Sequence, residues 1–272
     1  MIKAITVESW EEFIERLKPI TDFQKEDPKG VWPTLFRGQS NAEFKLETTL
    51  ERNDQNKMRI VDYYRLIGQS TPTAEALSGS RWDVPEHPEI DKYFSDFESF
   101  GGRHGPLPAT EFLVYLRHHG FPSPLLDWSA SPYVAAYFAF RDNYKRSHVS
   151  IYTLEESKHQ SYSSDQPLLH RIGPFIRTHK RHFLQQADYT LGAIFNKNDG
   201  GWRFASHEIP ISEEREDYWN FRVTKFNIPA SERLKVLRQL DAHNLNAFSL
   251  FGSEDSLMET LAIRYLHFPD KI

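Results

Sequence analysis

The chain has 272 residues, of which 39% are hydrophobic, 26% are charged and 14% are aromatic, and its 33 basic and 38 acidic side chains give a net charge of −5. This composition excludes collagen, a coiled coil and an extensively disordered chain, and the mild acidity argues against a protein that coats nucleic acid non-specifically. The lack of cysteine excludes disulfides, a thiolate zinc site and a cysteine nucleophile.

The sequence also bears on where the protein works. No window approaches the ~20 consecutive apolar residues that a membrane-spanning helix needs. The first residues, MIKAITVESWEEF, lack the basic and apolar regions of a signal peptide. We therefore expect a cytoplasmic protein that does not contact a membrane. The length fits one large domain, and we predict a single domain over residues 1–272.

The first hundred residues predict two strands and two helices. In chain order, these are a strand at 4–7, a helix opened by Ser9, an apolar strand at 31–36 and a helix at 49–68. The segment 70–88 is rich in Ser, Thr, Pro and Gly, which indicates an excursion over the surface.

The middle of the chain predicts a helix, a strand and a core helix. The first helix covers 110–120 and the strand covers 125–128. Ser131 and Pro132 are typical of a helix start, so the next helix should run from Tyr133 to about residue 146. Because this helix is apolar on most sides, we expect it in the core.

The last part predicts further strands and two helices. The strands lie at 149–154, 189–195 and 221–228, with a turn at 196–201, and the helices lie at 231–243 and 253–266. Strands and helices are mixed without regular βαβ alternation. The pattern therefore favours an α+β fold in which mixed, largely antiparallel sheets are flanked by helices.

Arg37 is the first candidate site residue, because it follows the apolar strand that ends at Phe36. A guanidinium there presents a fixed fork of donors for phosphate or carboxylate, and Gly38 permits close approach of a ligand or of another backbone. Alternatively, Arg37 pairs with an internal carboxylate and fixes the strand end. The sequence favours the ion pair, since ion pairs are commoner than ligand clamps at such positions.

Asp127, Ser129 and Ser131 form a second candidate group between a strand and a helix. The free amides and positive dipole end of a helix N-terminus suit an anion, with Ser129 as a further donor. Alternatively, Ser131 caps the helix and Asp127 bonds to turn amides or to Arg37. We expect Ser131 to be the cap, and both interpretations of Asp127 and Ser129 stay open.

The segment 170–186 is the third candidate, because it carries several basic residues and no acidic residue. Its basic residues are Arg171, Arg177, Lys180, Arg181 and three histidines. The local positive field suits a phosphate-bearing nucleic acid or another partner, although a solvated face is the favoured interpretation. No metal-ligand spacing occurs, so we predict no metal site. P-loop, Rossmann and serine-hydrolase motifs are absent as well.

Three motifs together resemble the FRG domain. They are Phe-Arg-Gly-Gln at 36–39, His-His-Gly at 118–120 and PSPLLDWSASPYVAAYFA at 122–139. The likeness covers roughly residues 30–200, and it implies a single FRG-type domain over 1–272 with a C-terminal extension of one strand and two helices. Gln185 and Gln186 also resemble a glutamine-rich element of this family.

The same motifs are similar to those of the ADP-ribosyltransferase fold. That likeness implies that Arg37 and Ser129 hold NAD as substrate, while a later carboxylate stabilises the developing oxocarbenium. The position of that carboxylate corresponds to Gln185–Gln186, so either Asp127 or Glu208 replaces it, or the chain binds a nucleotide without this catalysis. Our predicted site residues are Arg37, Gly38, Gln39, His119, Trp128 and Ser129 for binding, and Asp127 and Gln186 for catalysis.

Two functional hypotheses follow. The first is an NAD-dependent ADP-ribosyltransferase or NAD glycohydrolase of the bacterial toxin or phage-defence type. The second is a non-catalytic recognition module, in which Arg37 pairs with Asp127 and the basic segment contacts nucleic acid or a protein.

Overall fold

One mixed sheet forms the centre of the protein. The computed structural model describes residues 2–26, 33–53, 58–99, 106–142, 145–156, 167–198, 200–208 and 221–268. Within these ranges the strands are β1 (Lys3–Thr6), β2 (Leu35–Gln39), β3 (Leu125–Ser129), β4 (His148–Glu156), β5 (Leu168–Arg171), β6 (Ala187–Asn196), β7 (Gly201–Phe204) and β8 (Phe221–Pro229). They are ordered β1-β8-β4-β2-β3-β6-β5, with β7 paired to β6. The β1–β8 pair is parallel and the other pairs described are antiparallel.

Helices cover this sheet. Those in the described ranges are α1 (Trp10–Glu26), α2 (Ile60–Ser78), α3 (His87–Ser99), α4 (Thr110–His118), α5 (Pro132–Phe140), α6 (Lys180–Leu184), α7 (Arg233–Ala242), α8 (Ala247–Phe251) and α9 (Glu254–His267), with 3₁₀ turns at Glu51–Asn53 and Ala230–Glu232. The predicted α+β class, with a mixed and mostly antiparallel sheet flanked by helices, is confirmed. None of the helices in these ranges is both long and apolar enough to cross a membrane.

The helices form two apolar clusters over different parts of the sheet. Helices α1, α5, α7 and α8 pack on β2, β4 and β8 through residues such as Phe13, Tyr137 and Phe226. Helices α2, α3 and α4 pack on β3, β5, β6 and β7 through residues such as Tyr63 and Phe112. A third cluster, which includes Trp128, Tyr152 and Leu154, buries a separate part of the central strands. Helix α5 is buried on most sides, as predicted.

The Phe-Arg-Gly motif places β2 unusually close to α5. A Cβ atom on Gly38 would overlap the carbonyl oxygen of Ala135 and would also meet the amide nitrogen of Ala139. Both neighbours are backbone atoms of a buried helix, so neither can move without shifting α5. Glycine is therefore required at position 38 for packing, and this close approach brings α5 against the residues that flank Arg37.

We expect Gly38→Ala to destabilise the protein by about 3 kcal/mol, because overpacking against backbone cannot be relieved by a side-chain rotation. Gly68→Ala is the matched control. Gly68 lies in α2 and its added Cβ would have no neighbour nearer than 3.9 Å, so alanine should stabilise the helix by about 0.5–1 kcal/mol. Urea denaturation of both variants checks this, and similar effects at the two positions would contradict it.

Several predicted boundaries are wrong. The helix predicted at 49–68 is a 3₁₀ turn followed by α2, which continues to Ser78 through the segment predicted as a surface excursion. Burial of Tyr63, Tyr64 and Ile67 holds α2 against the core, and the hydroxyls of Ser70 and Thr71 donate to the Ile67 carbonyl instead of ending the helix.

Other elements have different bounds from those predicted, or were not predicted. The strand predicted at 31–36 is observed at 35–39, and residues 31–32 lie outside the described residues. Helix α5 ends at Phe140 rather than near residue 146. Elements α3, α6, α8, β5 and β7 had no counterpart in the predictions. By contrast, the helix that precedes β3 and the strands β3, β4, β6 and β8 lie within a few residues of their predicted positions.

Candidate functional site

A cleft of about 380 Å³ opens where β2, β3, α4, α5 and α8 meet. Its volume lies within the ~300–1,000 Å³ that is usual for small-molecule sites. The residues that line it are Phe36, Arg37, Gly38, Gln39, Ser40, Phe44, Arg52, Arg117, His118, Asp127, Trp128, Ser129, Ala135, Phe138, Arg181, Gln185, Ala187 and Phe251. Residues from all three candidate groups of the sequence are therefore brought together.

Arg37 lies where β2 and β3 separate. These two strands are paired at one position, between Phe36 and Ser129. The next residue of β2 is Arg37, and its Nη1 donates to the carbonyl oxygen of Asp127 at 2.8 Å. Burial lowers the pKa of Arg37 to about 10, Asp127 opposes this shift, and Arg117 adds to it. The guanidinium remains cationic at neutral pH.

The carboxylate of Asp127 is paired with Arg117, not with Arg37. Its two oxygens accept from Nε of Arg117 at 3.0 Å and from Nη2 at 2.8 Å, which is a bidentate pair. Burial raises the pKa of Asp127, but Arg117 and Arg37 outweigh it, so the net shift is downward and the group is ionised. The ion pair that we predicted for Arg37 and Asp127 is therefore wrong: the contact uses the Asp127 carbonyl.

His118 lines the cleft beside this pair, whereas the predicted binding residue His119 does not. The Nε2 of His118 lies 3.1 Å from the hydroxyl of Tyr189. His119 is exposed, and its Nδ1 bonds to the Tyr115 carbonyl at 2.8 Å. Burial lowers the pKa of His118 to about 4, although Asp127 opposes that shift, so the imidazole is neutral at pH 7.

Ser129 and Trp128 line the cleft, but both make internal hydrogen bonds. The Ser129 hydroxyl donates to the Gln185 carbonyl at 2.7 Å and accepts from the amide of Ser131 at 3.0 Å. It thus fixes the end of β3 against the start of β6. The indole of Trp128 is buried and donates to the hydroxyl of Thr190 at 2.8 Å.

The start of α5 behaves as its capping signal predicts. Ser131 accepts from the amide of Val134 at 3.3 Å, which confirms it as the N-cap. The residues of α5 that line the cleft are Ala135 and Phe138, one turn further along, rather than the first residues of the helix. The donors that face the cleft are accordingly arginine side chains.

Gln185, and not Gln186, lines the cleft. The Gln185 side chain is buried and donates to the Leu250 carbonyl at 3.2 Å, which connects it to α8. Gln186 is exposed and takes the left-handed conformation with φ +47°. It contributes its carbonyl oxygen, which accepts from the amide of Ala130 at 2.9 Å. Glu208, the other carboxylate considered, accepts from the amide of Leu46 and does not line the cleft.

Gly38 and Gln39 complete the predicted binding group, and both line the cleft. Gln39 is buried, and its Nε2 donates to the carbonyl of Lys45 at 3.0 Å. This bond holds the chain after β2 in place at the cleft mouth, where Phe44 is half exposed. The two residues therefore shape the wall next to Arg37.

The basic segment does not form one continuous face. Arg171, predicted to contact a partner, is 1% exposed and pairs with Asp188 at 2.8 Å and with Glu156 at 3.5 Å. Arg181 instead faces the cleft, where its Nη1 donates to the His118 carbonyl at 3.3 Å. Arg177 and Lys180 are exposed, so a partner would meet a smaller positive surface than the sequence predicts.

Positive charge dominates the lining of the cleft. Arg37, Arg52 and Arg181 line it and, among the residues that the structure describes, none of them pairs with a carboxylate. Asp127 is the one carboxylate among the described residues of the lining, and Arg117 is its ion-pair partner. Three cations around a concave, partly apolar site favour an anionic ligand.

Aromatic rings form one wall of the cleft. Phe138 and Phe251 contact each other edge to face at 5.9 Å. The guanidinium of Arg181 lies 5.5 Å from the centre of the Phe251 ring, which holds the cation against the aromatic surface. The cleft therefore combines cations with flat apolar surfaces, a combination that suits a ligand carrying both phosphate and an aromatic ring.

Sequence reasoning missed Arg117, His118, Arg52 and the aromatic wall. The sequence placed Arg117 in the helix predicted at 110–120 and His118 in the His-His-Gly motif without assigning either residue to the site, yet only six residues separate α4 from β3. So short a connection keeps the last turn of the helix beside Asp127, and this spacing is the signal that could have identified them. No such signal marks Arg52 or Phe251. Among the described residues, no group of three or more His, Asp or Glu side chains is placed to hold a metal ion.

The fold and the site define an α+β domain with an arginine-lined cleft beside a buried helix. Residues 33–148 match the sequence model of the FRG domain. This part of the chain, which includes Arg37, Arg117 and Asp127, is therefore similar to the FRG domain. A search of curated proteins and a search of solved structures both return no match.

Proposed function

We propose that the cleft binds NAD and breaks its nicotinamide–ribose bond, as an ADP-ribosyltransferase or NAD glycohydrolase does. The observation that carries the proposal is the convergence of three motifs. Arg37 on β2, Asp127 and Ser129 on β3, and Gln185 just before β6 all line one cleft, and β2, β3 and β6 are neighbours in the sheet. This order parallels the motif positions that the likeness to ADP-ribosyltransferases implies.

The arginines supply the binding energy for the phosphates. Arg37, Arg52 and Arg181 have no carboxylate partner within the described ranges, so a pyrophosphate would gain their charge without breaking an internal ion pair. Hydrogen bonds to charged groups contribute about 1.5–3 kcal/mol each. The Phe138 and Phe251 rings offer an apolar surface for a flat ring of the ligand.

Asp127 is the group that opposes charge on the ribose. As the nicotinamide bond breaks, its electron pair leaves on nicotinamide and positive charge develops at C1′ of the ribose. An ionised carboxylate at the cleft wall stabilises this charge, and the bidentate contact with Arg117 fixes its orientation. Gln185 occupies the third motif position and contributes no charge of its own.

An NAD-consuming activity of this kind would suit a toxin or phage-defence role. Two observations weigh against the alternative, a non-catalytic recognition module. Asp127 pairs with Arg117 rather than with Arg37. Arg171 pairs with Asp188 in the interior and is not exposed to a partner molecule. Arg177 and Lys180 are exposed and are the residues at which this alternative can still be tested.

Calorimetric titration of the full chain with NAD, with ADP-ribose and with nicotinamide tests the binding half of this proposal. NAD and ADP-ribose should both bind, and both should bind more weakly as salt rises, because phosphate contacts are screened. Nicotinamide lacks phosphate and should bind at least about tenfold more weakly, a difference of about 1.4 kcal/mol. Absence of binding by NAD and by ADP-ribose at low salt would contradict the proposal.

A further inference from the structure

His118 stands in a chain of hydrogen bonds that fixes where its proton lies. His182 is buried, and its Nε2 lies 3.0 Å from the carbonyl oxygen of Pro174, an atom that can only accept. Nε2 of His182 therefore donates to this carbonyl, and in the tautomer that carries its proton there Nδ1 accepts. The partner of that Nδ1 is the hydroxyl of Tyr189 at 3.3 Å, so Tyr189 donates to it.

The same reasoning extends one step to His118. Since the proton of Tyr189 points to His182, the hydroxyl oxygen accepts from Nε2 of His118, which lies 3.1 Å away. His118 is thus held as the tautomer that carries its proton on Nε2. Its Nδ1 has no hydrogen-bond partner in the part of the chain that the structure describes, and the residue lines the cleft.

We infer that Nδ1 of His118 is the general base of this site, and that it deprotonates a water molecule or a hydroxyl group that attacks C1′ of bound NAD. This inference rests on the proposed function. The bond between C1′ and nicotinamide breaks, its electron pair leaves with neutral nicotinamide, a new C1′–O bond forms, and the proton of the O–H group passes to Nδ1. The products are nicotinamide and ADP-ribose or its O-glycoside, with the proton later released to solvent.

The surrounding charges favour an O–H nucleophile over other acceptors. The groups that face His118 are Asp127 on β3, Arg117 on α4, Arg181 and His179 at α6, and the Tyr189 hydroxyl on β6. A guanidinium acceptor would be repelled by Arg117 and Arg181. A carboxylate acceptor carries no proton at neutral pH and would need no base. Water and neutral hydroxyl groups carry no positive charge to be repelled, and they carry a proton that a base can remove.

The test compares His118→Gln with the wild-type chain in a nicotinamide-release assay. The glutamine amide can donate to Tyr189 as Nε2 does, but it offers no basic nitrogen. We expect unchanged melting temperature, retained ADP-ribose binding and a rate of release lower by about 10²- to 10⁴-fold, the usual range for a lost general base. His243→Gln, a surface substitution at the end of α7, is the matched control and should leave the rate unchanged.

Chemical rescue separates a base from a structural residue. Imidazole added to His118→Ala should restore part of the activity, whereas a purely structural loss would not respond. Methanol then identifies the nucleophile: methyl ADP-ribose forms if a hydroxyl group is accepted, and free ADP-ribose alone assigns water.

Equal release by wild type and His118→Gln would overturn the inference while leaving the proposed function intact. Absence of release by the wild type would overturn both. Loss of release in His118→Gln together with lost ADP-ribose binding would also overturn the inference, because it would show that His118 serves binding.

Discussion

Arg37→Ala should leave the protein folded but abolish the rise in melting temperature that NAD causes. The carboxylate of Asp127 keeps its bidentate partner Arg117, so no buried charge is left uncompensated. The substitution removes one hydrogen bond to the Asp127 carbonyl and should cost about 1–2 kcal/mol. Losing a charged contact to phosphate should weaken NAD binding by about 10- to 150-fold.

Thermal melting with and without NAD checks this prediction. Arg177→Ala is the control, because Arg177 is exposed and does not line the cleft. Its melting temperature and its response to NAD should match those of the wild type. Two results would contradict the account: unfolding of Arg37→Ala, which would assign the arginine a mainly structural role, and an undiminished response of that variant to NAD.

Arg171→Met should be the most destabilising substitution in the basic segment. Arg171 is buried between Asp188 and Glu156, and its Nη1 also donates to the carbonyl of Pro33 at 3.1 Å. Methionine fills a similar space but leaves two carboxylates buried without their cation. Breaking a buried ion pair in this way costs about 3–5 kcal/mol, a large part of the ~5–15 kcal/mol that stabilises a typical protein.

Urea denaturation measures this loss of stability. Arg177→Met, at an exposed position seven residues before α6 ends, should change the free energy of unfolding by less than about 0.5 kcal/mol. Arg171→Lys keeps the charge and should cost less than Arg171→Met, so it reports on the same cluster if the methionine variant does not fold. A cost below about 1 kcal/mol for Arg171→Met would show that the cluster contributes little to stability.

Local signals in the sequence predicted the elements that position the site. The apolar run before Asp127 gave β3 nearly at its observed bounds, and the Ser-Pro signal gave the start of α5 but not its end. The strand that carries Arg37 was recognised as well, although β2 continues through Gln39 instead of ending at Phe36. These features depend on near neighbours in the chain, so periodicity and capping preferences are enough to identify them.

The identity of the cleft residues depended on details that periodicity cannot supply. Successive residues of a helix point about 100° apart, so an error of one position exchanges His118 in the cleft for the exposed His119. Gln185 and Gln186 differ for a related reason, because the second takes the left-handed conformation and turns away.

Partners that are distant in the chain could not be predicted. Nothing near Arg171 in the sequence shows that Glu156 and Asp188 surround it, because β4, β5 and β6 bring them together only in the folded sheet. The pairing of Asp127 with Arg117 instead of Arg37 has the same origin. In helix α2, tertiary burial of its apolar face outweighed the loop-like composition of residues 70–78.

Proton NMR of the full chain mixed with NAD tests the central claim most directly, because it follows the signals of bound and free nicotinamide over hours. We expect free nicotinamide to accumulate with the wild type, and to do so far more slowly with Arg37→Ala, which should remain folded because Asp127 keeps its partner Arg117. Unchanged NAD signals throughout the experiment, without shift, broadening or release of nicotinamide, would contradict the assignment of this cleft to NAD.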